Sequence, residues 1–305
     1  MNKPPRYGLF LALYISIILV IIFGLYELIV TKYNIFYLTK IILFFICVAA
    51  CAIIIAILVI NIVPYFKNFL LEKRSFKRFE SLSHPLLLRL SLEAPGTYHH
   101  SLMVANLAYR AAQEIKADAI LARIGAYYHD VGKLSDPEIF IENQTNISKK
   151  TYNSLQDIQQ AASKIIKHSS YGVQLAQKYE LPSQIIAFIA EHHGTTTTFF
   201  FLTKAQTISA KTSKKPFTYP GPKPLSAETA IVMLADAIEA KIRLFHEINK
   251  EKITKVVDEI ISDRLHEKQL QLSGLTRDQI TKIRNSFIKT LSTIHHQRIN
   301  YPTIK

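Results

Sequence analysis

Tyr128-His-Asp-Val-Gly-Lys133 closes a stretch, Asp118–Tyr128, whose apolar residues recur at helical spacing. A His-Asp pair is thereby set at the end of a helix. The same periodicity continues on both sides. Upstream, Leu102–Lys116 carries Leu102, Ala105, Leu107, Ala108, Ala111, Ala112 and Ile115 on one face. Downstream, Ser154–Lys167, Gly172–Tyr179 and Ser183–Glu191 repeat it, with Pro182 where a helix can start. Thr229–Asn249 reads as one long apolar-striped helix. Ser273-Gly274 is a break, and Thr276 with Gln279 reads as a capping box that opens a last helix, Arg277 to about Ile294. No segment alternates with period two, so the expected class is all-α. Lys204–Pro224 is the main irregular stretch, because the prolines of Tyr219-Pro-Gly-Pro-Lys-Pro224 exclude a regular helix.

The chain has eleven histidines, and their positions are more informative than their number. His99 and His100 open one helix, His129-Asp130 ends the next, His168 ends a third, and His192-His193-Gly194 ends a fourth. Asp236 sits inside the apolar helical stretch Ile231–Glu239, where an unpartnered carboxylate would be costly to bury. Imidazole nitrogen and carboxylate oxygen suit divalent metals. Five histidines and two aspartates from several helices could surround two ions, with the two oxygens of Asp130 bridging them. Two such ions suit phosphoester hydrolysis, because they acidify a water and neutralise phosphate charge. Neighbouring helical side chains diverge by about 100°, so one of His99 and His100 faces the ions, and the residues alone leave open which. His84, His246, His266, His295 and His296 read as surface or packing residues.

The 305 residues carry a net charge of +14. That balance reads first as solubility beside an anionic membrane and alternatively as an anionic substrate such as a nucleotide, which charge alone does not separate. The two cysteines, Cys47 and Cys51, both lie in an apolar run. The rest of the chain therefore has no disulfide framework, thiolate zinc site or cysteine nucleophile, which agrees with a reducing cytoplasm.

Leu9–Val30 and Ile41–Val63 are each long enough to cross a hydrocarbon core of about 30 Å. The first is too long for a signal-peptide core and lacks a small-x-small cleavage site. Lys67, Lys73, Arg74, Lys77, Arg78 and Arg89 follow the second run, whereas the loop between the runs holds only Lys32 and Lys40. The positive-inside bias then puts both ends in the cytoplasm. The expected organisation is a two-helix membrane anchor over 1–66 and a cytoplasmic domain over 67–305.

The ordered set His…His-Asp…His…His-His…Asp resembles the HD-domain superfamily in its two-metal form. The surrounding text narrows the resemblance. Glu93-Ala-Pro-Gly-Thr-Tyr-His-His-Ser101, Tyr128-His-Asp-Val-Gly-Lys133, Phe140-Ile-Glu-Asn-Gln144, His192-His-Gly-Thr195, Tyr219-Pro-Gly-Pro-Lys-Pro224, Met233-Leu-Ala-Asp-Ala-Ile-Glu239 and His296-Gln-Arg-Ile-Asn-Tyr-Pro302 together resemble the seven-transmembrane HD family. Its members are bacterial membrane phosphodiesterases that hydrolyse cyclic di-AMP to pApA, and the resemblance covers about residues 61–305. It implies a helical HD-domain phosphohydrolase fold behind the spans. It implies that His100, His129, Asp130 and Asp236 hold one ion, and that Asp130, His168, His192 and His193 hold another, with manganese or iron as the metals. A metal-bridging hydroxide would then attack phosphorus, with Asp130 at the catalytic centre and Lys133 as a fixed positive charge on the phosphate. Without the resemblance Lys133 reads as a solvated lysine. Tyr219 would line the nucleotide pocket or serve as a rigid packing element, and Tyr98 and Tyr128 pack.

The implied partners are a cyclic dinucleotide and the lipid membrane, with no nucleic-acid polymer. A second copy of the chain or a separate membrane subunit is compatible with this. The implied location is the bacterial cytoplasmic (inner) membrane, multi-pass, with catalysis on the cytoplasmic side. Family members have seven spans and an extracytoplasmic sensor, and this chain matches their last two spans and catalytic domain. It also departs from them at Thr145-Asn-Ile-Ser-Lys-Lys150. Cyclic di-GMP enzymes of the superfamily carry Gly-Tyr-Pro after the paired histidines, whereas Gly-Thr-Thr-Thr stands here. The competing readings are an HD enzyme acting on another nucleotide, a nucleotide-binding regulatory membrane protein without turnover, and a plain membrane scaffold.

Overall fold

The computed structural model describes residues 18–27, 35–144, 152, 154–245 and 247–295, and of 35, 36 and 62–77 the backbone only. The chain divides into two units, Met1–Arg74 and Ser75–Lys305. In the first, helix α1 (Ile18–Glu27) packs on helix α2 (Ile35–Glu80, of which Ser75–Glu80 belongs to the second unit), where the rings of Phe23 and Phe45 meet edge to face with centroids 6.2 Å apart. Within α2, Tyr37–Asn61 is 25 residues long with a mean hydropathy of 3.4, enough to cross a membrane, and is not covered by protein. Of the expected first span, only Ile18–Glu27 falls among the described residues as a helix. The described residues therefore include one helix of spanning length rather than two.

The second unit is all-α. Its helices are α3 (Pro85–Glu93), α4 (Pro95–Glu114), α5 (Ala119–Tyr128), α6 (Leu155–Lys178), α7 (Ser183–Glu191), α8 (Phe199–Ile208), α9 (Ala227–Ile242), α10 (Lys250–His266) and α11 (Arg277–Ile294). Between α5 and α6 the chain makes three short 3-10 turns, Val131–Ser135, Pro137–Ile139 and Ile141–Asn143. The described residues hold no strand, only an isolated bridge between Thr197 and Thr218.

α9 is the axis of the domain. Residues Ala230 to Asp236 are buried without interruption; α4 and α10 pack against α9, and α11 packs on α4 and α10, through Val104, Leu107, Val257 and Phe287. A second cluster joins Phe79 and α3 to α5 and α7 through Leu86, Leu90, Ile124, Ile185 and Ile189. A third holds α8 against α6 through Ile158, Ala162, Leu202, Ala205 and Phe217. Three helices start at capping boxes, Ser154 with Asp157, Ser226 with Thr229 and Thr276 with Gln279.

Three element boundaries differ from the sequence expectation. Ser154–Lys167 and Gly172–Tyr179 are one helix, α6, so His168 lies inside it and not at an end. The serines between them do not break it, because Ser170 Oγ donates to Lys167 O within the helix. Thr229–Asn249 is not one helix. α9 stops at Ile242, and Asn249 instead caps α10 by accepting from Lys252 N at 2.9 Å. The first part of Lys204–Pro224 is helical, because Leu202 and Ala205 of α8 are drawn into the third cluster.

Candidate metal centre

The four elements that carry the histidines, with α9, converge on Asp130. α4 supplies His100 from its second turn, with His100 buried and His99 exposed. α5 ends at His129, its C-cap, so Asp130 enters the turn that follows. α6 supplies His168, the end of α7 supplies His192 and His193, and α9 supplies Asp236. α6 can approach this closely because a side chain on Gly132 would collide with the His168 carbonyl.

Asp130 divides the site. Its Oδ2 lies 3.7 Å from His100 Nε2 and 3.2 Å from His129 Nε2, and its Oδ1 lies 3.3 Å from His168 Nε2 and 3.6 Å from His192 Nε2. Asp236 Oδ1 stands 3.0 Å from His100 Nε2, and its Oδ2 stands 3.8 Å from His193 Nδ1. Two sets result, His100, His129, Asp130 and Asp236, and Asp130, His168, His192 and His193. In each, the ligand atoms lie within 4.8 Å of one another.

Four of the histidines are oriented from behind. Nδ1 of His129 faces Ala126 O at 2.7 Å, that of His168 faces Ile165 O at 2.6 Å, and that of His192 faces Ile189 O at 3.0 Å. Nδ1 of His100 is bonded to Glu239 Oε2. A carbonyl only accepts, so each Nδ1 beside one is the donor, and each neutral ring then turns a lone pair on Nε2 toward Asp130. His168 Nε2 and His192 Nε2 lie 3.2 Å apart.

These residues fit divalent cations. His129 Nε2 and both oxygens of Asp130 are fully buried and without a hydrogen-bond partner among the described residues. Lone pairs of His168 and His192 point at one another across a gap that a cation would fill, and the donor set is all imidazole and carboxylate. The HD domain and this cluster together make the chain a divalent-metal binder.

The electrostatics are consistent with that. Burial alone would raise Asp130, but Lys133, His129 and His168 outweigh it and hold the carboxyl well below the usual range. Asp236 is held low in the same way against burial, by His100 and His129. Burial works against a charged His129 too, but Asp130 and Asp236 push it up to about 10, so without an ion a proton on Nε2 answers the two carboxylates, and a bound cation would take that proton's place on the neutral ring. Burial, with neighbouring imidazoles, lowers His192 and His193 and favours the neutral ligand form.

Lys133 is not a solvated lysine. Its Nζ lies 2.7 Å from Asp130 Oδ2, as an ion pair outside hydrogen-bond alignment, and donates to Glu142 Oε1 at 2.6 Å. Tyr219 is buried, with its ring centroid 4.1 Å from that of His193 and the planes 30° apart. Tyr128 packs in the second cluster and donates to Phe79 O. His84 caps α3 and packs on Phe79 and Tyr128. His246, His296 and Thr145–Lys150 lie outside the described residues.

Sequence reasoning gave no role to Glu239, Glu142, Glu191 or Gln269. Glu239 had a signal, since it follows Asp236 by three residues on one helical face. Glu142 reaches Lys133, and Glu191 accepts from Leu225 N at 2.9 Å, but only through the tertiary fold.

Residues 97–241 match the HD domain family. The chain is 39% identical over 249 residues to the cyclic-di-AMP phosphodiesterase PgpH of Bacillus subtilis (strain 168), covering 81% of this chain and 35% of that protein. It is 37% identical over 255 residues to the protein of the same name from Listeria monocytogenes serotype 1/2a (strain 10403S), covering 82% and 35%. The chain thus spans about a third of the length of these curated relatives. A crystal structure of the L. monocytogenes phosphodiesterase PgpH HD domain in complex with cyclic-di-AMP superposes with a TM-score of 0.67 at 39% identity, covering 72% of this chain and 100% of that one.

Proposed function

The chain belongs to the HD-domain family, and from that premise we propose that it is a metal-dependent phosphodiesterase that opens cyclic di-AMP to the linear dinucleotide pApA. The observation that carries this is the split of Asp130, with Oδ2 toward one His/Asp set and Oδ1 toward the other. In this reading His100, His129, Asp130 and Asp236 hold one divalent ion, and Asp130, His168, His192 and His193 hold a second. Manganese or iron suits a nitrogen and oxygen set without thiolates. Bound there, two such ions would acidify a water and offset the charge of the phosphate.

The chain's own residues do the rest. Asp130 stays ionised and spans both positions, and Lys133 maintains that ionisation. Lys133 also sets a fixed positive charge beside the phosphate while Glu142 holds its ammonium in place. Tyr219 lies over His193 at the rim, where it can border the nucleotide. The substrate assignment rests on the names of the relatives and on the ligand of the superposed structure.

We also infer a membrane anchor over 1–66, in which Tyr37–Asn61 crosses the bilayer and the apolar segment containing Ile18–Glu27 makes a second pass. The lysines and arginines after Val63 favour the cytoplasmic side for the catalytic unit.

The test is hydrolysis of cyclic di-AMP by the full chain in nanodiscs with Mn²⁺, beside Asp130→Ala and a cyclic di-GMP substrate. Release of pApA by the unaltered chain, and not by Asp130→Ala, is the expected result. Binding without turnover in both Mn²⁺ and Fe²⁺ would make the chain a nucleotide-binding regulator instead.

A further inference from the structure

Among the five site histidines, His193 alone has no hydrogen bond on its ring from the described residues. Backbone carbonyls or Glu239 fix the other four. Its imidazole is also the most exposed of the five, 23% against 1% or less for His100, His129, His168 and His192. Apart from ring contacts with its fellow ligands His168 and His192, its place is set by its backbone turn and by the ring of Tyr219.

That turn is held by a residue beyond the HD-matched segment, 97–241. Gln269 follows α10, is 2% exposed, and extends its amide into the His193-Gly194-Thr195 turn. Its Oε1 accepts from Thr195 N at 3.0 Å, and its Nε2 donates to Thr195 Oγ1 at 3.0 Å. Gly194 has φ +51, in the left-handed region, and a side chain there would collide with Gln269 Oε1 and Met233 Cε. The same C-terminal turn reaches the loop that carries Tyr219, because Lys223 Nζ donates to Lys268 O at 2.9 Å. Tyr219 N in turn donates to Thr196 O at 2.9 Å. The segment after α10 thus grips both supports of His193.

We propose that Gln269 is a positioning residue for the second metal position, holding His193 in ligating place through the Thr195 backbone. This rests on the two-metal reading above. Removing the amide takes the acceptor from the half-buried Thr195 N and frees the turn, while His100, His129 and Asp236 keep their own supports. The loss falls on the Asp130, His168, His192 and His193 position alone.

The experiment is Mn²⁺ titration of the purified full chain, read by bound metal per chain and by the electron paramagnetic resonance signature of a coupled manganese pair. Gln269→Leu, of similar size but apolar, is expected to keep one tightly bound Mn²⁺. It is expected to weaken the second by about 10- to 100-fold, as loss of a supporting residue does, and to lose the coupled signal, as His193→Ala does. Gln269→Glu keeps the acceptor for Thr195 N and is expected to restore both. Gly194→Ala displaces the same amide from the other side and serves where Gln269→Leu does not fold. Two Mn²⁺ with unchanged affinity and coupling in Gln269→Leu would overturn the proposal and leave the two-metal reading intact. An unaltered chain that binds fewer than two Mn²⁺ would overturn both.

Discussion

Glu239 stands behind His100, three residues beyond Asp236 on the same face of α9, so one helix supplies both a carboxylate inside the site and the one that orients its neighbour. A carboxylate behind an imidazole raises its basicity and fixes its tautomer. Glu239→Leu is expected to weaken metal at the His100, His129, Asp130 and Asp236 position by about 10- to 100-fold, while Glu239→Gln has the smaller effect. Chelator competition measures both. Equal affinity in the leucine variant would show that His100 needs no support.

The Tyr219 ring covers His193 ring on ring, with centroids 4.1 Å apart, and among the described residues its hydroxyl makes no hydrogen bond. Tyr219→Phe is therefore expected to turn over cyclic di-AMP at close to the unaltered rate, and Tyr219→Ala to lose about tenfold in kcat, the lower range for a supporting residue. Steady-state kinetics decides. A large loss in the phenylalanine variant would move the role to the hydroxyl.

α5 and α7 touch at Gly125, where a side chain would run into the Phe188 ring. A rigid ring in a packed core cannot yield as a flexible chain end does. Gly125→Ala is expected to lower stability by about 1–3 kcal/mol, read in thermal or urea unfolding. Gly125→Ala with Phe188→Leu is expected to recover part of the loss.

Tyr37–Asn61 is expected to hold the chain in membranes through alkaline carbonate extraction, because none of its apolar side chains is buried in protein. A chain that starts at Ser75, the first residue of the second unit, is expected in the supernatant. Finding the full chain there too would overturn the anchor.

The residues that converge on Asp130 were visible as types before any coordinates, because metal-binding side chains at helix ends stand out against apolar periodicity. The convergence itself was not visible in spacing. His100 was chosen over His99 only through a family resemblance, and the structure adds that one is buried and the other exposed. Helix existence was legible where the apolar face was continuous, as in α4, α5 and α7. It failed at the join of α9 and α10, where apolar residues run on through Leu244 and Phe245 but the Asn249 cap decides the break. It also failed across the serines of α6, which close their own hydrogen bonds inside the helix. Gln269 and Glu142 lie far from the residues they hold or in turns without periodicity, so no local pattern marks them.

Because Asp130 and its companions come from α4, the end of α5, α6, the end of α7 and α9, ions bound among them also staple five separated pieces of chain. Any ligand that prefers the folded form protects it by mass action, about 2.7 kcal/mol at a hundredfold excess over its dissociation constant. Metal supply would then govern how long each molecule survives proteolysis as well as how fast it works. A cell short of the divalent ion would hold fewer copies of the protein in addition to idle ones.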